Sequence, residues 1–176
     1  MSSGRRTVAT CVGLGCWLVL MGCSTLAKQG YSEFKGAQSE LKIVGAAQSG
    51  AVKNASGIEF KAAKSSIGPE VVGSAVLQTY DAEARKVAEK LAGSFKGTGA
   101  KLVVDSDLLY FQAKGITSGG MLLTHVRVNA GDQLVLNTLI KTESESFRSR
   151  DEAALTRSAV EALGKRLQRD LGVIEP

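Results

Sequence analysis

The stretch from Lys101 to Thr142 constrains the fold most, because it contains three apolar-rich runs separated by turn signals. The runs cover 101–114, 121–128 and 134–142, and Leu102, Val104, Leu108 and Tyr110 share one face of the first. The last two are separated by Asn-Ala-Gly-Asp at 129–132. Apolar runs of this kind bounded by Gly, Asn and Asp are typical of strands joined by hairpins. We therefore expect three successive antiparallel strands.

Two helices flank these strands. Apolar residues recur every three or four positions up to Phe95, which predicts a helix over 79–95 that ends at Gly97-Thr98-Gly99. The sequence leaves the start of this helix undecided. Either the helix begins as early as Glu70, or residues 71–77 form a strand. The second helix is predicted to begin with a capping box of Ser149 and Glu152 and to close at Gly172.

Short strands are expected at 41–44 and at 58–62, with a Gly/Ser/Asn-rich loop over 48–57 between them. Each helix has one apolar stripe and needs a sheet to cover. The predicted fold class is therefore α+β, with an antiparallel or mixed sheet of about four or five strands and two helices packed on one face.

The N-terminus has a different pattern. Arg5 and Arg6 precede fifteen uncharged, mostly apolar residues from Val8 to Gly22, and Cys23 follows. This run is shorter than the ~20 apolar residues of a membrane span. A basic start, a short apolar run and a small residue before a cut site indicate a secretory signal peptide.

Leu20-Met21-Gly22-Cys23 resembles the lipobox of bacterial lipoproteins. The resemblance implies cleavage between Gly22 and Cys23, a diacylglycerol on the Cys23 thiol, and acylation of the new amine. It divides the chain into a signal peptide (1–22), a lipidated N-terminus and tether (23–40) and one domain (41–176). By similarity to enterobacterial lipoproteins, serine at position 24 implies the outer membrane, with the domain facing the periplasm.

Cleavage would also change the composition. Cys11 and Cys16 would leave with the signal, so the mature chain would have no internal disulfide and no cysteine metal site. The mature chain would carry 20 basic and 17 acidic residues, a net charge of +3 instead of the full chain's +5. This mild excess of positive charge, dispersed along the chain, does not predict a nucleic-acid-binding protein.

The order of elements over about 58–172 resembles an uncharacterised domain of small bacterial lipoproteins. It is also similar in layout to the domains of penicillin-binding-protein activator lipoproteins and of the curli-secretion lipoprotein. The resemblance implies a periplasmic α+β domain and carries over no functional residue besides Cys23.

Candidate catalytic residues are few. Asp105 and Asp107 are two positions apart in a predicted strand, so they point the same way, about 7 Å apart. Such a pair could hydrolyse a glycan, although two acids on an exposed sheet face are the commoner case. His125 is the single histidine, and we expect a half-exposed strand residue rather than a catalytic base or zinc ligand. No cofactor is expected.

The sequence thus favours a non-enzymatic binding or assembly module, tethered to the outer membrane, with a protein partner in the envelope. One alternative is an envelope hydrolase that uses Asp105 and Asp107, and another is a carrier of lipid or of a small ligand. The oligomeric state is left open.

Overall fold

The computed structural model describes residues 36–112, 119–144 and 151–172. Along the chain, the elements are β1 (Gln38–Ala47), α1 (Ser49–Lys53), β2 (Ile58–Phe60), α2 (Ser74–Ala92), β3 (Leu102–Gln112), β4 (Gly120–Ala130), β5 (Gln133–Ser144) and α3 (Glu152–Leu171). The strands form one five-stranded mixed sheet, and the α+β prediction is confirmed.

The sheet has the strand order β1-β5-β4-β3-β2. Strands β3, β4 and β5 form the predicted antiparallel meander, and β1 adds to β5 in antiparallel fashion. Ala130 pairs with Gln133 at the end of the β4–β5 hairpin. Its turn contains Gly131 at φ +60°, a conformation that glycine adopts without a steric penalty. The short strand β2 pairs with β3 in parallel.

Both long helices cover the same face of the sheet. On α2, Tyr80 reaches the buried Ser106 of β3. On α3, Ser158 reaches Ser39 of β1 at 2.9 Å. Alternate residues of the three long strands are buried on this side, as period-two alternation requires. A register shift between Leu108 and Tyr110 interrupts the alternation in β3, so Tyr110 lies on the other face and its predicted place beside Leu108 is wrong. The largest fully buried side chains between the layers are Tyr80, Leu91, Leu102, Leu108, Leu122, Leu136, Ile140, Leu155, Leu163 and Leu167.

The first long helix begins within the range that the sequence left open, but its predicted end is wrong. Helix α2 begins at Ser74, so the alternative of a strand over 71–77 is wrong as well. The helix ends at Ala92, and Gly93 is its C-cap. Gly97 has another role: a Cβ there would collide with the backbone carbonyl of Asn54. The absence of a side chain at Gly97 allows the chain before β3 to lie against the end of α1.

The predicted capping box of the last helix is also wrong. Asp151 is the N-cap of α3, and its Oδ1 accepts a hydrogen bond of 2.7 Å from the backbone N–H of Ala154. Glu152 is therefore the first helical residue and not the third, and Ser149 lies outside the described residues. The predicted end is confirmed, because Gly172 caps the helix at φ +76°.

Two short elements differ from the prediction near the N-terminus. Strand β1 begins at Gln38 and ends at Ala47, so it is longer than 41–44 and begins inside the segment assigned to the tether. The polar loop predicted over 48–57 contains helix α1, whose Val52 is buried in the core. None of the described helices is long and apolar enough to cross a membrane.

Candidate functional site

The sheet face opposite the helices is the candidate site, and we call it the open face. Strands β1, β5, β4 and β3 contribute to it through the residues that alternate with the buried ones. The residues of this face that matter below are Glu40, Lys42, Asp105, Asp107, Tyr110, Met121, Leu123, His125, Arg127, Asn137, Leu139, Lys141 and Glu143. Within the described ranges, the helices lie on the other side of the sheet.

Asp105 is held by two cations. Its Oδ2 lies 3.1 Å from Nη2 of Arg127, the residue directly opposite on β4. Its Oδ1 lies 3.1 Å from Nζ of Lys64, which comes from the segment after β2. The carboxylate is largely shielded, whereas both cations are about half exposed. Asp105 therefore links β4, β3 and the segment beside β2.

The electrostatics of Asp105 oppose an acid role. Burial by itself would raise its pKa, but the hydrogen bond from Lys64 and the charges of Lys64 and Arg127 outweigh burial and lower the pKa. A glycosidase acid needs a raised pKa so that it carries a proton near neutral pH. The arrangement thus favours an ion-paired carboxylate over a proton donor.

Asp107 faces the same way as Asp105, as predicted, but it has a different partner. Its Oδ1 accepts a hydrogen bond of 2.8 Å from the backbone N–H of Ser66. A parallel bridge between Lys64 and Asp107 lies beside this contact. Asp107 therefore fixes the segment after β2 along the edge of β3, which is a structural role for the second carboxylate of the predicted pair.

His125 is half-buried on β4, as the alternation predicts. It lies opposite Asp107 on one side and Leu139 on the other. Its Nε2 is 2.6 Å from Oδ1 of Asn137 on β5, so the ring donates to the amide oxygen there. Among the residues that the structure describes, no three or more His, Cys, Asp or Glu side chains are grouped so that they could hold a metal ion.

The centre of the open face is apolar. Leu123 lies between Tyr110 of β3 and Lys141 of β5, and Leu139 lies between His125 and Lys42. Both leucines are half-buried among these neighbours. The result is an apolar centre bordered by charges of both signs.

Some residues of this surface could not be assigned from motifs. Lys64 and Asn137 bind Asp105 and His125 only because the fold brings distant segments together. The sequence alone places Glu40 at the end of the predicted tether and Lys42 in a predicted short strand. The alternation of Ser39 and Leu41 with these two charges was the signal that could have placed them on one strand face.

A second charged cluster joins the two long helices. Glu83 of α2 lies 2.8 Å from Nζ of Lys86 and 3.5 Å from Nε of Arg157 on α3. Burial by itself would raise the pKa of Glu83, but the hydrogen bond from Lys86 and the charges of Arg157 and Lys86 outweigh it and lower the pKa. The cluster stabilises the helix layer behind the sheet.

A cleft of about 210 Å³ lies on the outside of the helix layer, between α2 and α3. It is lined by Val87, Lys90, Leu91, Glu161, Gly164, Lys165 and Gln168. Ligand pockets are usually larger, about 300–1,000 Å³, and predominantly apolar. This cleft therefore offers no support for the predicted alternative of a lipid or small-ligand carrier.

The predicted lipidation residue Cys23 and the predicted cleavage position after Gly22 lie outside the described residues. The described domain begins at residue 36, shortly before β1. Cleavage and lipidation at these residues stay predictions from the sequence.

No protein-family model matches this chain, and no curated protein matches it. Among solved structures, a leucine-to-methionine variant of the PelC dodecamer from Paraburkholderia phytofirmans is similar, with a TM-score of 0.44 and 10% identity over 79% of this chain and 99% of that chain. A second PelC dodecamer structure from the same organism has a TM-score of 0.42 and 11% identity over 77% and 97% of the two chains. Similarity at this level carries no argument about function.

Proposed function

We propose that this protein is an outer-membrane lipoprotein whose periplasmic domain is a non-enzymatic binding module, with the open face as its binding surface for an envelope protein. The observation that carries the proposal is the open face itself. It combines a half-buried apolar centre at Leu123 and Leu139 with a fixed border of ion pairs.

The border gives the surface its specificity. On one side, Arg127 and Lys64 surround Asp105; on the other, Lys141 lies 2.8 Å from Glu143. Charges at the rim of an interface contribute mainly to orientation and association rate, whereas the apolar centre provides most of the affinity. We therefore expect a partner with an apolar patch bordered by charges of both signs.

The proposed lipid anchor is inferred from the N-terminal sequence. Leu20-Met21-Gly22-Cys23 after a basic start and a short apolar run supports export, cleavage and lipidation at Cys23. Stable anchoring takes more than one acyl chain, which a lipidated and N-acylated cysteine provides.

A role as a hydrolase is disfavoured by the carboxylates on which it would depend. Asp105 is ion-paired with a lowered pKa, and Asp107 is bound to the backbone of Ser66. The proposal assigns both residues to the stability and charge pattern of the open face.

Site-specific photocrosslinking in living cells tests the binding surface. A photoreactive amino acid is placed at Leu123 or Leu139, and at Glu89, an exposed position on α2, as the matched control. We expect one protein band from the two open-face positions and none from Glu89. The band should be lost when Leu139→Glu is combined with the crosslinker at Leu123. Equal crosslinking from all three positions, or a band unaffected by Leu139→Glu, would contradict the proposed surface.

A further inference from the structure

Strand β1 is an edge strand. It pairs with β5 on one side, and no strand of the described residues pairs with its other side. An edge strand presents a row of backbone N–H and C=O groups that can pair with another strand. β1 is ten residues long and contains no proline, and its irregularity falls beyond Ile43, which leaves Gln38–Ile43 in regular register with β5.

Exposed apolar side chains concentrate on this edge. In the described part of the chain, the exposed large hydrophobic residues are Ile43 (39% exposed), Val44 (54%) and Ile67 (53%). Two of the three belong to β1. Natural edge strands are usually protected by proline, by bulges, by covering segments or by charged side chains, especially lysine. The charges on β1 are instead arranged so that they favour one pairing.

We propose that a second copy of this chain adds to the sheet through its own β1, in antiparallel register centred on Leu41. In this register, Glu40 lies directly opposite Lys42 of the second copy, and Lys42 lies opposite its Glu40. Opposite charges at directly opposed positions stabilise a strand pair, whereas like charges destabilise it. The two-fold axis makes the favourable pair occur twice.

The neighbouring registers lack this match. A register centred on Glu40 sets two carboxylates opposite each other, and one centred on Lys42 sets two ammonium groups opposite each other. Glu40 and Lys42 are both exposed on the open face, so their side chains are accessible to the second copy. The charge pattern of β1 thus selects one antiparallel alignment.

The same register also places the apolar residues of β1 together. Leu41 lies opposite Leu41 of the second copy, and Ile43 lies diagonally beside it, within reach across an antiparallel pair. These residues alternate with the charges and belong to the face that Ser39 shares with α3. A two-fold axis perpendicular to the sheet keeps the helices of both copies on one side. The resulting sheet is continuous across the two copies, and their open faces form one larger surface.

This pairing goes beyond the proposed function and depends neither on the anchor nor on an envelope partner. To test it, the whole chain is purified from whole-cell lysate in mild detergent, and its self-association is measured by sedimentation. We expect a dimer that Glu40→Lys or Lys42→Glu weakens by about tenfold or more, since each change creates two like-charge pairs. Glu89→Lys, an exposed charge reversal on α2, is the matched control and should not change the dimer.

Mixing the two variants separates a lost interface from a damaged fold. Glu40→Lys chains should recover dimerisation when they are coexpressed with Lys42→Glu chains, because both opposed pairs are then of opposite charge. Capture of one tagged variant should therefore recover the other with at least the efficiency of the wild-type pair. A monomeric wild type, a dimer insensitive to both reversals, or no recovery on mixing would overturn the proposal.

Discussion

The phenol of Tyr80 donates a hydrogen bond of 3.1 Å to Oγ of Ser106, and both side chains are only 1% exposed. This contact connects the centre of α2 to the buried face of β3. It is a polar link between the helix layer and the sheet that presents the open face. A buried hydrogen bond contributes little net stability, but a buried group left without its partner costs about 1–3 kcal/mol.

Tyr80→Phe should therefore lower the free energy of unfolding by about 1–2 kcal/mol, because Ser106 loses its partner without a large change in packing. Denaturant unfolding of the two proteins measures the difference. In a Ser106→Ala background the same change should cost less, since the hydroxyl is already missing. Strictly additive effects of the two substitutions would show that the contact contributes no coupling.

Tyr80 also predicts a stability change at high pH. Burial raises its pKa from 10.0 to about 12, so the folded state holds the proton after the unfolded state has released it. The stability contributed by this residue is complete below about pH 10 and is lost as the pH rises towards 12. Relative to wild type, Tyr80→Phe should show a smaller loss of unfolding free energy between these two pH values. An identical pH dependence for both proteins would contradict the burial argument.

Asp105→Asn tests the ion-pair network on the open face. Its partners Lys64 and Arg127 are about half exposed, so we expect the substitution to lower the free energy of unfolding by less than about 1 kcal/mol at neutral pH. Since the folded pKa of Asp105 is lowered, its contribution is present above the unfolded pKa and lost as the pH falls through the folded pKa. The wild type and the variant should therefore converge in unfolding free energy in acid. A difference between the two proteins that stays the same from neutral pH into acid would contradict the ion-pair argument.

Gly164→Ala tests the close approach of the two long helices. A Cβ at Gly164 would lie 2.9 Å from Cγ1 of Val87, which is tighter than a normal contact. We expect the free energy of unfolding to fall by about 1–3 kcal/mol, because the cost of this overlap outweighs the higher helix propensity of alanine. In a Val87→Ala background the overlap disappears, and the same change should stabilise the protein. A loss of equal size in both backgrounds would contradict the packing argument.

Asp151→Ala tests the corrected helix start. The loss of the side-chain bond to the Ala154 N–H should cost about 1 kcal/mol of unfolding free energy, the usual effect of removing an N-cap. Ser149→Ala is the matched control, because the cap role assigned to Ser149 from the sequence belongs to Asp151. If Ser149→Ala lowered the free energy of unfolding more than Asp151→Ala does, the N-cap role of Asp151 would be contradicted.

The sequence predicts the central part of this fold well, because period two is a local signal. The three long strands, the hairpin at Gly131 and the stop at Gly172 all follow from residues close in sequence. Helix α1 was missed because its segment is rich in Gly, Ser and Asn, and tertiary burial of Val52 overrides the local propensity. The parallel pairing of β2 with β3 has no local signal at all.

The candidate site, like the fold, could be predicted from the sequence only in part. The shared face of Asp105, Asp107 and His125 could be predicted from alternation along the strands. Their partners could not, because Lys64 is separated from Asp105 by 41 positions and contacts it only through the fold. The structural roles of Asp105 as an ion-paired carboxylate and of Asp107 as an acceptor for the Ser66 N–H are therefore visible only in the tertiary structure.

The lipid anchor on which the proposed outer-membrane location depends is tested most directly by metabolic labelling with an alkyne fatty acid. The whole chain should become labelled in bacterial cells. Cys23→Ala should abolish the label, whereas Cys11→Ala and Cys16→Ala, which change cysteines of the predicted signal peptide, should retain it. Absence of label in the wild type, or a label that persists in Cys23→Ala, would contradict the account.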